Sequence, residues 1–193
     1  MAIRLEFVHL KKMQLKHQRI LIVGSGGAGK STLSRKLGEH WELPIVHLDA
    51  LFWQPGWNPS PRPEFMEKVK SELSKPQWII DGNFDSSIEL RAKYADLIIF
   101  LDYSNVLCLY RACKRAWTYR GKTRPDMGED CKEKLDWEFV QWIWRYPKDA
   151  RPKMLDILGN VKTDVITFNS PKEVEKWLLN IATRKKSESS AKG

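Results

Sequence analysis

The stretch RILIVGSGGAGKS, residues 19 to 31, decides the fold of this chain. Its first part, Arg19 to Val23, is an apolar run rich in β-branched residues, which predicts a strand. Its second part, Gly24 to Ser31, fits the pattern G-x-x-x-x-G-K-[ST], and we expect a helix from about Lys30 to Glu39. Glycines in such a turn let successive backbone N–H groups face inward, and the helix N-terminus adds a partial positive charge aimed at the same point. The stretch therefore predicts a loop that binds phosphate oxygens.

This loop predicts a set of nucleotide-binding residues. They are Gly24, Gly26, Gly27, Ala28, Gly29, Lys30, Ser31 and Thr32. We expect Lys30 to reach the β- and γ-phosphates of ATP, the Ser31 hydroxyl to bind Mg²⁺, and Thr32 to add a contact further out. The alternative is a flexible Gly/Ser turn that matches the pattern by chance, and the flanking strand and helix argue against it.

Four more apolar runs follow along the chain and predict further strands. They are Pro44 to Leu48, Trp78 to Ile80, Leu97 to Leu101 and Val165 to Phe168. Continuous apolar runs are typical of strands buried on both faces, and amphipathic segments alternate with them. Five such strands predict a parallel sheet covered on both sides. We therefore expect the three-layer α/β/α fold of P-loop NTPases, with a five-stranded parallel sheet and a helical lid insertion.

The length and charge distribution predict one domain with basic ends. The chain has 193 residues, of which 42% are hydrophobic and 30% charged, as in folded proteins with one core. We expect a basic N-terminal extension over 1–17, a single P-loop domain over 18–182 with a lid at about 116–150, and a disordered basic tail over 183–193. The formal charge of +9 lies mainly in the two ends. A solvated tail explains such charge runs more simply than a nucleic-acid partner does, so nucleic acid is the less favoured partner.

Cysteine usage and hydropathy predict a cytoplasmic location. No apolar run approaches the roughly 18 residues needed to span a bilayer, so we expect no membrane partner. The three cysteines, Cys108, Cys113 and Cys131, are too few for a disulfide framework.

Two acids directly follow predicted strands, Asp81 in WIIDGNF and Asp102 in FLDYS. Asp81 can hold a Mg²⁺-bound water, and its structural alternative is a turn former before Gly82. We predict that Asp81 and Ser31 organise the metal. For Asp102 a functional and a structural role are equally expected.

A third acid, Asp49, lies in VHLDALFWQPGW, residues 46 to 57, at the end of a predicted strand. Ligands gather at the carboxyl ends of strands in doubly wound sheets. There Asp49 can orient or deprotonate an acceptor hydroxyl, or hold a metal-bound water; the alternative is a helix cap. Trp53 and Trp57 can wall an acceptor pocket, although core packing is an equally expected role.

The segment from residue 111 to residue 124 carries cations and no acid. The cations are Arg111, Lys114, Arg115, Arg120, Lys122 and Arg124. Like charges this close destabilise a helix unless an anion neutralises them, and Arg111 and Arg115 share one helical face. The loop GKTRPDMG that follows has the composition of a mobile lid, which can exclude water and stabilise a transferring phosphoryl group. A solvated basic face is the alternative.

Together these motifs resemble the adenylate-kinase-like branch of P-loop kinases. The stretches HLDALFW, GKTRPDM and CKEKLDWEF are similar, more specifically, to small proteins described as DNA-topology-modulation (FlaR-like) proteins. The resemblance covers about residues 18 to 179. It implies that Asp81 matches the magnesium-side Asp of nucleotide kinases, and that Arg111 and Arg115 match helix arginines near the adenine and the phosphates.

The chain departs from nucleoside monophosphate kinases after this Asp. Those enzymes have Asp-Gly-Phe-Pro-Arg, whereas Asn83, Phe84 and Asp85 follow Gly82 here. Arg91 is then the candidate for gripping an acceptor phosphate, and the acceptor-side residues are expected to be Asp49, Trp53, Asp81 and Arg91.

The function implied is transfer of the γ-phosphoryl of ATP, with Mg²⁺, to a small-molecule or nucleotide acceptor. The expected catalytic residues are Lys30, Asp49, Arg111, Arg115, Arg120 and Arg124. Two alternatives stay open: a nucleotide-dependent DNA-binding protein that modulates topology, and a slow nucleoside triphosphate hydrolase.

Overall fold

The computed structural model describes residues 17–190, with side chains described for residues 17–181. The strands are β1 (Arg19–Gly24), β2 (Ile45–His47), β3 (Trp53–Gln54), β4 (Asn58–Pro59), β5 (Trp78–Asp81), β6 (Leu97–Leu101) and β7 (Asp164–Phe168). The helices are α1 (Lys30–Trp41), α2 (Leu48–Phe52), α3 (Arg62–Leu73), α4 (Asp85–Tyr94), α5 (Asn105–Thr118), α6 (Trp137–Asp149), α7 (Arg151–Gly159) and α8 (Pro171–Ser190).

Within this part of the chain, five parallel strands form the main sheet in the order β2-β5-β1-β6-β7. The short strands β3 and β4 form a separate antiparallel hairpin. Helices cover both faces of the sheet, so the predicted three-layer α/β/α fold with a five-stranded parallel sheet is confirmed.

The central strand β1 shows why helices must lie on both faces. Successive side chains of a strand point to opposite faces, and residues 20 to 23 are all fully buried. Ile20 and Ile22 pack in a core with side chains of α1, α5, α6 and α8. Leu21 and Val23 pack in a second core with side chains of α3, α4 and α7. Each fully buried residue of this size contributes roughly 1.5–3 kcal/mol, so the strand stabilises both layers.

The register of the strands determines where the site lies. Ile22 of β1 and His47 of β2 both align with Asp81, the last residue of β5. Gly24 at the end of β1 aligns with Leu101 at the end of β6. The residues that follow β1, β2 and β5 therefore meet at one edge of the sheet.

Two strand predictions need correction. The predicted strand over residues 44–48 is shorter, because Leu48 already begins α2. The last strand, β7, is not buried on both faces, since it lies at the edge of the sheet and Val165 is 37% exposed. At the start of α8, Glu173 N–H donates to Ser170 Oγ at 3.4 Å and Asn169 N–H donates to Glu173 Oε2 at 2.8 Å, so these two side chains cap the helix.

The domain boundaries stay a prediction. Residues 1–16 of the expected N-terminal extension lie outside the described residues, as do residues 191–193 of the expected tail, while α8 continues to Ser190, beyond residue 182. No helix between residues 17 and 190 is both long and apolar enough to cross a membrane. Cys108, Cys113 and Cys131 are free thiols.

Candidate active site

The loop between β1 and α1 has the backbone of a phosphate cradle. Gly27 and Gly29 have φ angles of 78° and 96°, in the left-handed region that favours glycine. A Cβ atom at Gly27 would lie 2.1 Å from the carbonyl oxygen of Cys108 on α5. The loop therefore needs glycine for both its curvature and its close packing against α5.

Lys30 points back into this loop. Its ammonium donates to the carbonyl oxygens of Gly24 at 2.9 Å and of Ser25 at 3.1 Å. Burial lowers the pKa of Lys30 below its ordinary value, against the opposing charges of Asp49 and Asp81. The cation thus lies where the anionic groups of a ligand would meet it.

Asp81 is the last residue of β5 and is 4% exposed. It connects β5 to α1 and β2 at the carboxyl ends of the strands. Its carboxylate accepts hydrogen bonds from Ser31 Oγ at 3.3 Å and from Ser34 Oγ at 2.6 Å. Its Oδ2 also lies 2.6 Å from His47 Nδ1. Burial lowers the pKa of His47, but the hydrogen bond and charge of Asp81 outweigh burial and raise it overall.

Ser31 and Asp81 fit the ligand set expected for magnesium. Both offer oxygen, and Mg²⁺ usually takes only one or two protein ligands beside phosphates and water. Groups of three or more His, Cys, Asp and Glu placed to hold a metal are absent among the described residues. The pair therefore suits a metal that arrives with a nucleotide better than a resident metal centre.

Asp49 lies in the first turn of α2, directly after β2, and its side chain lines the cleft. Burial raises the pKa of Asp49 above its ordinary value, while the charge of Lys30 opposes the rise. The carboxyl group of Asp126, brought by the loop before α6, lines the same cleft. Its burial raises the pKa, but the charge of Arg124 and a hydrogen bond with Ser31 lower the pKa of Asp126 overall.

The cleft above these residues has a volume of about 1110 Å³. Near Asp49 it is lined by Trp53, Trp57, Phe84, Arg124, Asp126 and Lys134. Beyond the glycine loop it is lined by Tyr103, Arg111, Phe139, Trp142, Val174 and Leu178. The volume suits two small ligands, one on each side of the loop.

Arg111 and Arg115 both line the cleft, as expected from their shared helical face. Arg111 Nη1 donates to the carbonyl oxygen of Ala28 at 3.2 Å, and its guanidinium lies 5.8 Å from the centre of the Tyr103 ring. The guanidinium of Arg115 lies 5.8 Å from the centre of the Phe139 ring. The helix that leads into the predicted lid therefore places two cations beside the phosphate loop.

Glu133, which no motif in the sequence singles out, joins Arg115 and Arg124. Its Oε1 accepts from Arg115 Nε at 2.8 Å, and its Oε2 lies 2.5 Å from Arg124 Nε. Arg124 Nη1 also donates to Asp126 Oδ2 at 2.8 Å. The acids that neutralise the basic segment thus come from positions after it, within GKTRPDMG and CKEKLDWEF. The signal in the sequence is the presence of acids shortly after residue 124.

The lid segment packs on the β3–β4 hairpin. Trp57 Nε1 donates to the carbonyl oxygen of Lys132 at 2.8 Å, and Cys131 Sγ lies 3.4 Å from the carbonyl oxygen of Gln54. A Cβ atom at Gly128 would lie 2.4 Å from the carbonyl oxygen of Trp53. The lid is therefore closed over the end of the cleft that holds Asp49.

Three residues singled out in the sequence, Arg91, Arg120 and Asp102, do not line the cleft. Arg91 is fully buried outside the cleft, where it donates to the carbonyl oxygens of Gly82 at 2.8 Å, of Phe84 at 3.2 Å and, closer still, of Asn83. Burial lowers the pKa of Arg91 to about 9. This position braces the turn after β5 and does not support a grip on an acceptor phosphate.

Arg120 is exposed and lies outside the cleft, where its backbone bridges to Glu133. Asp102 forms a two-bonded ion pair with Arg151, at 2.8 and 2.7 Å. For Asp102 the structure thus favours the structural alternative.

Comparisons with known proteins support the fold. No family model and no curated protein matches the sequence of this chain. The solved structures that are similar include a gluconokinase from Sinorhizobium meliloti 1021, 17% identical, covering 91% of this chain and 98% of its own, with a TM-score of 0.50. They also include a shikimate kinase from Acinetobacter baumannii in complex with shikimate, 18% identical, covering 92% of this chain and 98% of its own, with a TM-score of 0.56. At these identities the likeness shows the fold alone.

Proposed function

We propose that this chain, which has the fold of the P-loop kinases, transfers the γ-phosphoryl group of ATP to a hydroxyl of a small molecule. One observation carries the proposal. Lys30, Ser31 and Asp49 line one cleft together with Arg111, Arg115 and Arg124, and the buried carboxylate of Asp81 is hydrogen-bonded to Ser31. Phosphoryl transfer needs positioning and charge stabilisation above all, and this set supplies both.

The glycine loop and Lys30 hold the phosphates in this proposal. Lys30 exchanges its two bonds to the carbonyl oxygens of Gly24 and Ser25 for bonds to phosphate oxygens. Ser31 and Asp81 would hold Mg²⁺, which would supply positive charge beside the phosphates. Ser34 and His47 keep the Asp81 carboxylate in place through their hydrogen bonds.

The nucleotide base binds on the far side of the loop. Tyr103, Phe139 and Trp142 offer aromatic faces there, and Arg111 connects this side to the backbone of the loop. Phe139 and Trp142 stack nearly parallel, with ring centres 6.0 Å apart and planes at 6°. Flat apolar surfaces of this kind favour a planar base.

The acceptor binds between Asp49 and the lid. The ring of Trp53 forms one wall, and its centre lies 5.4 Å from that of Trp57. Asp49 accepts the proton of the acceptor hydroxyl while that oxygen bonds to the γ-phosphorus and ADP leaves. Arg115 and Arg124 stabilise the transferring phosphoryl group, and the closed lid excludes water that would otherwise receive it.

We further assign the chain to the adenylate-kinase-like branch, near the FlaR-like proteins, and to the cytoplasm. The support for the branch is the resemblance of HLDALFW, GKTRPDM and CKEKLDWEF. The three stretches also lie close together, since Gly128, directly after GKTRPDM, packs against Trp53, and Arg124 of GKTRPDM pairs with Glu133 of CKEKLDWEF.

The test is ADP formation with and without acceptors. The panel contains nucleosides, nucleoside monophosphates, sugars, gluconate and shikimate, each with ATP and Mg²⁺. ADP formation that depends on one acceptor, with a phosphorylated product by mass spectrometry, is the expected result. Acceptor-independent ADP formation indicates a hydrolase, and ATP-dependent retention on DNA without any accepted compound indicates the DNA-binding alternative; either result contradicts the proposal.

A further inference from the structure

Two neighbouring helices carry large apolar side chains that point into solvent. On α5, Val106 and Tyr110 are each 63% exposed and Trp117 is 81% exposed. On α6, Trp137 is 70% exposed and Trp144 is 57% exposed. We call this surface the α5/α6 face; it comprises Val106, Tyr110, Cys113, Trp117, Trp137 and Trp144.

The spacing of these residues is that of helices that pack against other helices. The α5 residues 106, 110, 113 and 117 follow one another in steps of four, three and four, and the two α6 tryptophans are seven residues apart. Steps of three and four place side chains along one seam of a helix, as in coiled coils. Cys108 and Ala112 occupy the opposite, buried side of α5, and Ile143 and Tyr146 that of α6.

The two helices run antiparallel beside each other. At one end, the Asn105 side chain donates to the carbonyl oxygen of Trp144 at 3.1 Å. At the other end, just beyond α5, Arg120 bridges to Glu133, just before α6. Two seams on adjacent antiparallel helices form half of a four-helix bundle.

The exposed area is large for a surface without a partner. A tryptophan or tyrosine buries roughly 150–250 Å², so the exposed fractions of the four aromatic residues amount to about 500 Å². Monomeric proteins rarely expose more than a few hundred Å² of contiguous apolar surface. Two such faces packed together would bury about 1,000 Å², the area at which specific interfaces begin.

We propose that the α5/α6 face is the interface of a homodimer, in which the two helices of each copy form a four-helix bundle. The six residues of the α5/α6 face carry no charge, so a second copy of the same apolar surface is complementary to it. A two-fold axis repeats each contact on both copies.

The dimer leaves the cleft open. Arg111 and Arg115 line the cleft from another side of α5 than the exposed seam, and Trp142 lines it from another side of α6. The proposal does not rest on the proposed function and can be tested without any ligand.

The test is the mass of the full-length chain by sedimentation velocity between about 1 and 100 µM protomer, because a dimer forms by mass action. We expect a dimer in the wild type. In the variant Trp117→Lys with Trp144→Lys, we expect dimerisation at least about tenfold weaker, since tryptophans dominate interface energetics. The matched control is Tyr94→Lys, an aromatic residue 45% exposed on α4, which should remain dimeric.

Both substitutions lie on exposed side chains, so circular dichroism should show an intact fold. A wild-type monomer across the whole range contradicts the proposal, as does a double variant that dimerises like the wild type. A monomer whose tryptophan fluorescence shifts on addition of phosphatidylglycerol vesicles would assign the face to a membrane surface. A monomer that retains oligo(dT) through this face would assign it to nucleic acid; either result overturns the dimer.

Discussion

At the scale of single residues, the two carboxylates of the site differ in their surroundings. Asp81 is held by Ser31, Ser34 and His47, whereas burial raises the pKa of Asp49, which lines the cleft. A carboxylate with three partners is suited to a fixed position. A carboxylate with a raised pKa is suited to accepting a proton.

The first prediction concerns Asp49. In Asp49→Asn we expect turnover with acceptor to fall at least about 100-fold, because general base catalysis contributes this much or more. ATP affinity should change by no more than about twofold, since the loss affects the chemical step. Steady-state kinetics beside calorimetric ATP titration measures both.

A second strand-end acid supplies the control for Asp49. Asp102→Asn removes a carboxylate that is paired with Arg151, away from the transferring group. We expect it to lower stability and leave turnover per folded molecule nearly unchanged. A large loss of ATP affinity in Asp49→Asn would place Asp49 on the nucleotide side.

The second prediction concerns Glu133. In Glu133→Gln the two lid arginines lose their shared charge, and we expect turnover to fall roughly 10- to 100-fold, as misplacement of catalytic groups by about 1 Å does. Glu129→Gln, an exposed acid on the same lid, should have wild-type kinetics. Equal rates for both variants would show that Glu133 does not position Arg115 and Arg124.

Some site residues can be predicted from the sequence and others cannot, for a physical reason. Asp81 ends a strand, and Ser31 and Asp49 lie in the first turns of helices that come soon after strands. The carboxyl ends of parallel strands share one edge of the sheet, so local sequence places the three residues together. Arg91 bonds to the turn just before its own helix, at Gly82 and Phe84, and Glu133 reaches back to Arg115 and Arg124. The direction in which such a side chain turns depends on packing and not on sequence spacing, and the expected role of Arg91 was misplaced for this reason.

At the scale of elements, α5 presents a different set of side chains on each of three sides. Its buried side packs on the sheet through Cys108 and Ala112, its cleft side carries two arginines, and its outer side carries the apolar seam. The Cys108 carbonyl also touches the glycine loop, so the loop and the arginines are fixed relative to each other.

The third prediction tests this contact. In Gly27→Ala the new Cβ would lie 2.1 Å from the Cys108 carbonyl oxygen, whereas at Gly121 nothing lies within 4 Å. Both glycines have a positive φ, 78° and 72°, so each substitution carries a similar backbone strain of about 1 kcal/mol. We expect only Gly27→Ala to weaken ATP binding by about tenfold or more, as a backbone shift in the loop would. Calorimetric ATP titration of the two variants decides, and equal ATP affinities would contradict the role assigned to the contact.

At the scale of the whole molecule, the first described residues are tied to the far side of the sheet. Asp96 accepts hydrogen bonds from the main-chain N–H groups of Gln18 and Arg19 at 2.9 and 3.0 Å, and lies 3.6 Å from His17. Burial raises the pKa of Asp96, but the interactions with His17, Gln18 and Arg19 lower it overall. This connection joins the start of β1 to the turn before β6, at the edge of the sheet opposite the cleft.

The fourth prediction follows from the sign of this shift. Because the folded pKa lies below the ordinary value of 3.8, ionised Asp96 stabilises the fold above that pH. The contribution is lost as the pH falls through the folded pKa. In Asp96→Asn we expect a loss of roughly 1.5 kcal/mol at pH 7 that shrinks in acid, the low end of the range for hydrogen bonds to charged groups. Urea unfolding from pH 7 to below pH 3.8 measures the difference in unfolding free energy between wild type and variant. A difference that stays constant with pH would contradict the assignment.

The sequence predicted the sheet well and the lid in part. The continuous apolar runs around a glycine loop predicted five parallel strands, whereas their order in the sheet was not predicted. The closed position of the lid depends on single contacts such as Trp57 to Lys132, which no periodicity reveals.

The most direct measurement is a calorimetric titration of ATP with Mg²⁺ into the wild type and into Lys30→Ala, both shown to be folded by circular dichroism. We predict saturable binding by the wild type and binding at least about tenfold weaker in the variant, since the lysine bonds the phosphates directly. Absence of any heat of binding for ATP, ADP or GTP with the folded wild type, or equal affinities in the two proteins, would contradict a kinase site in this cleft.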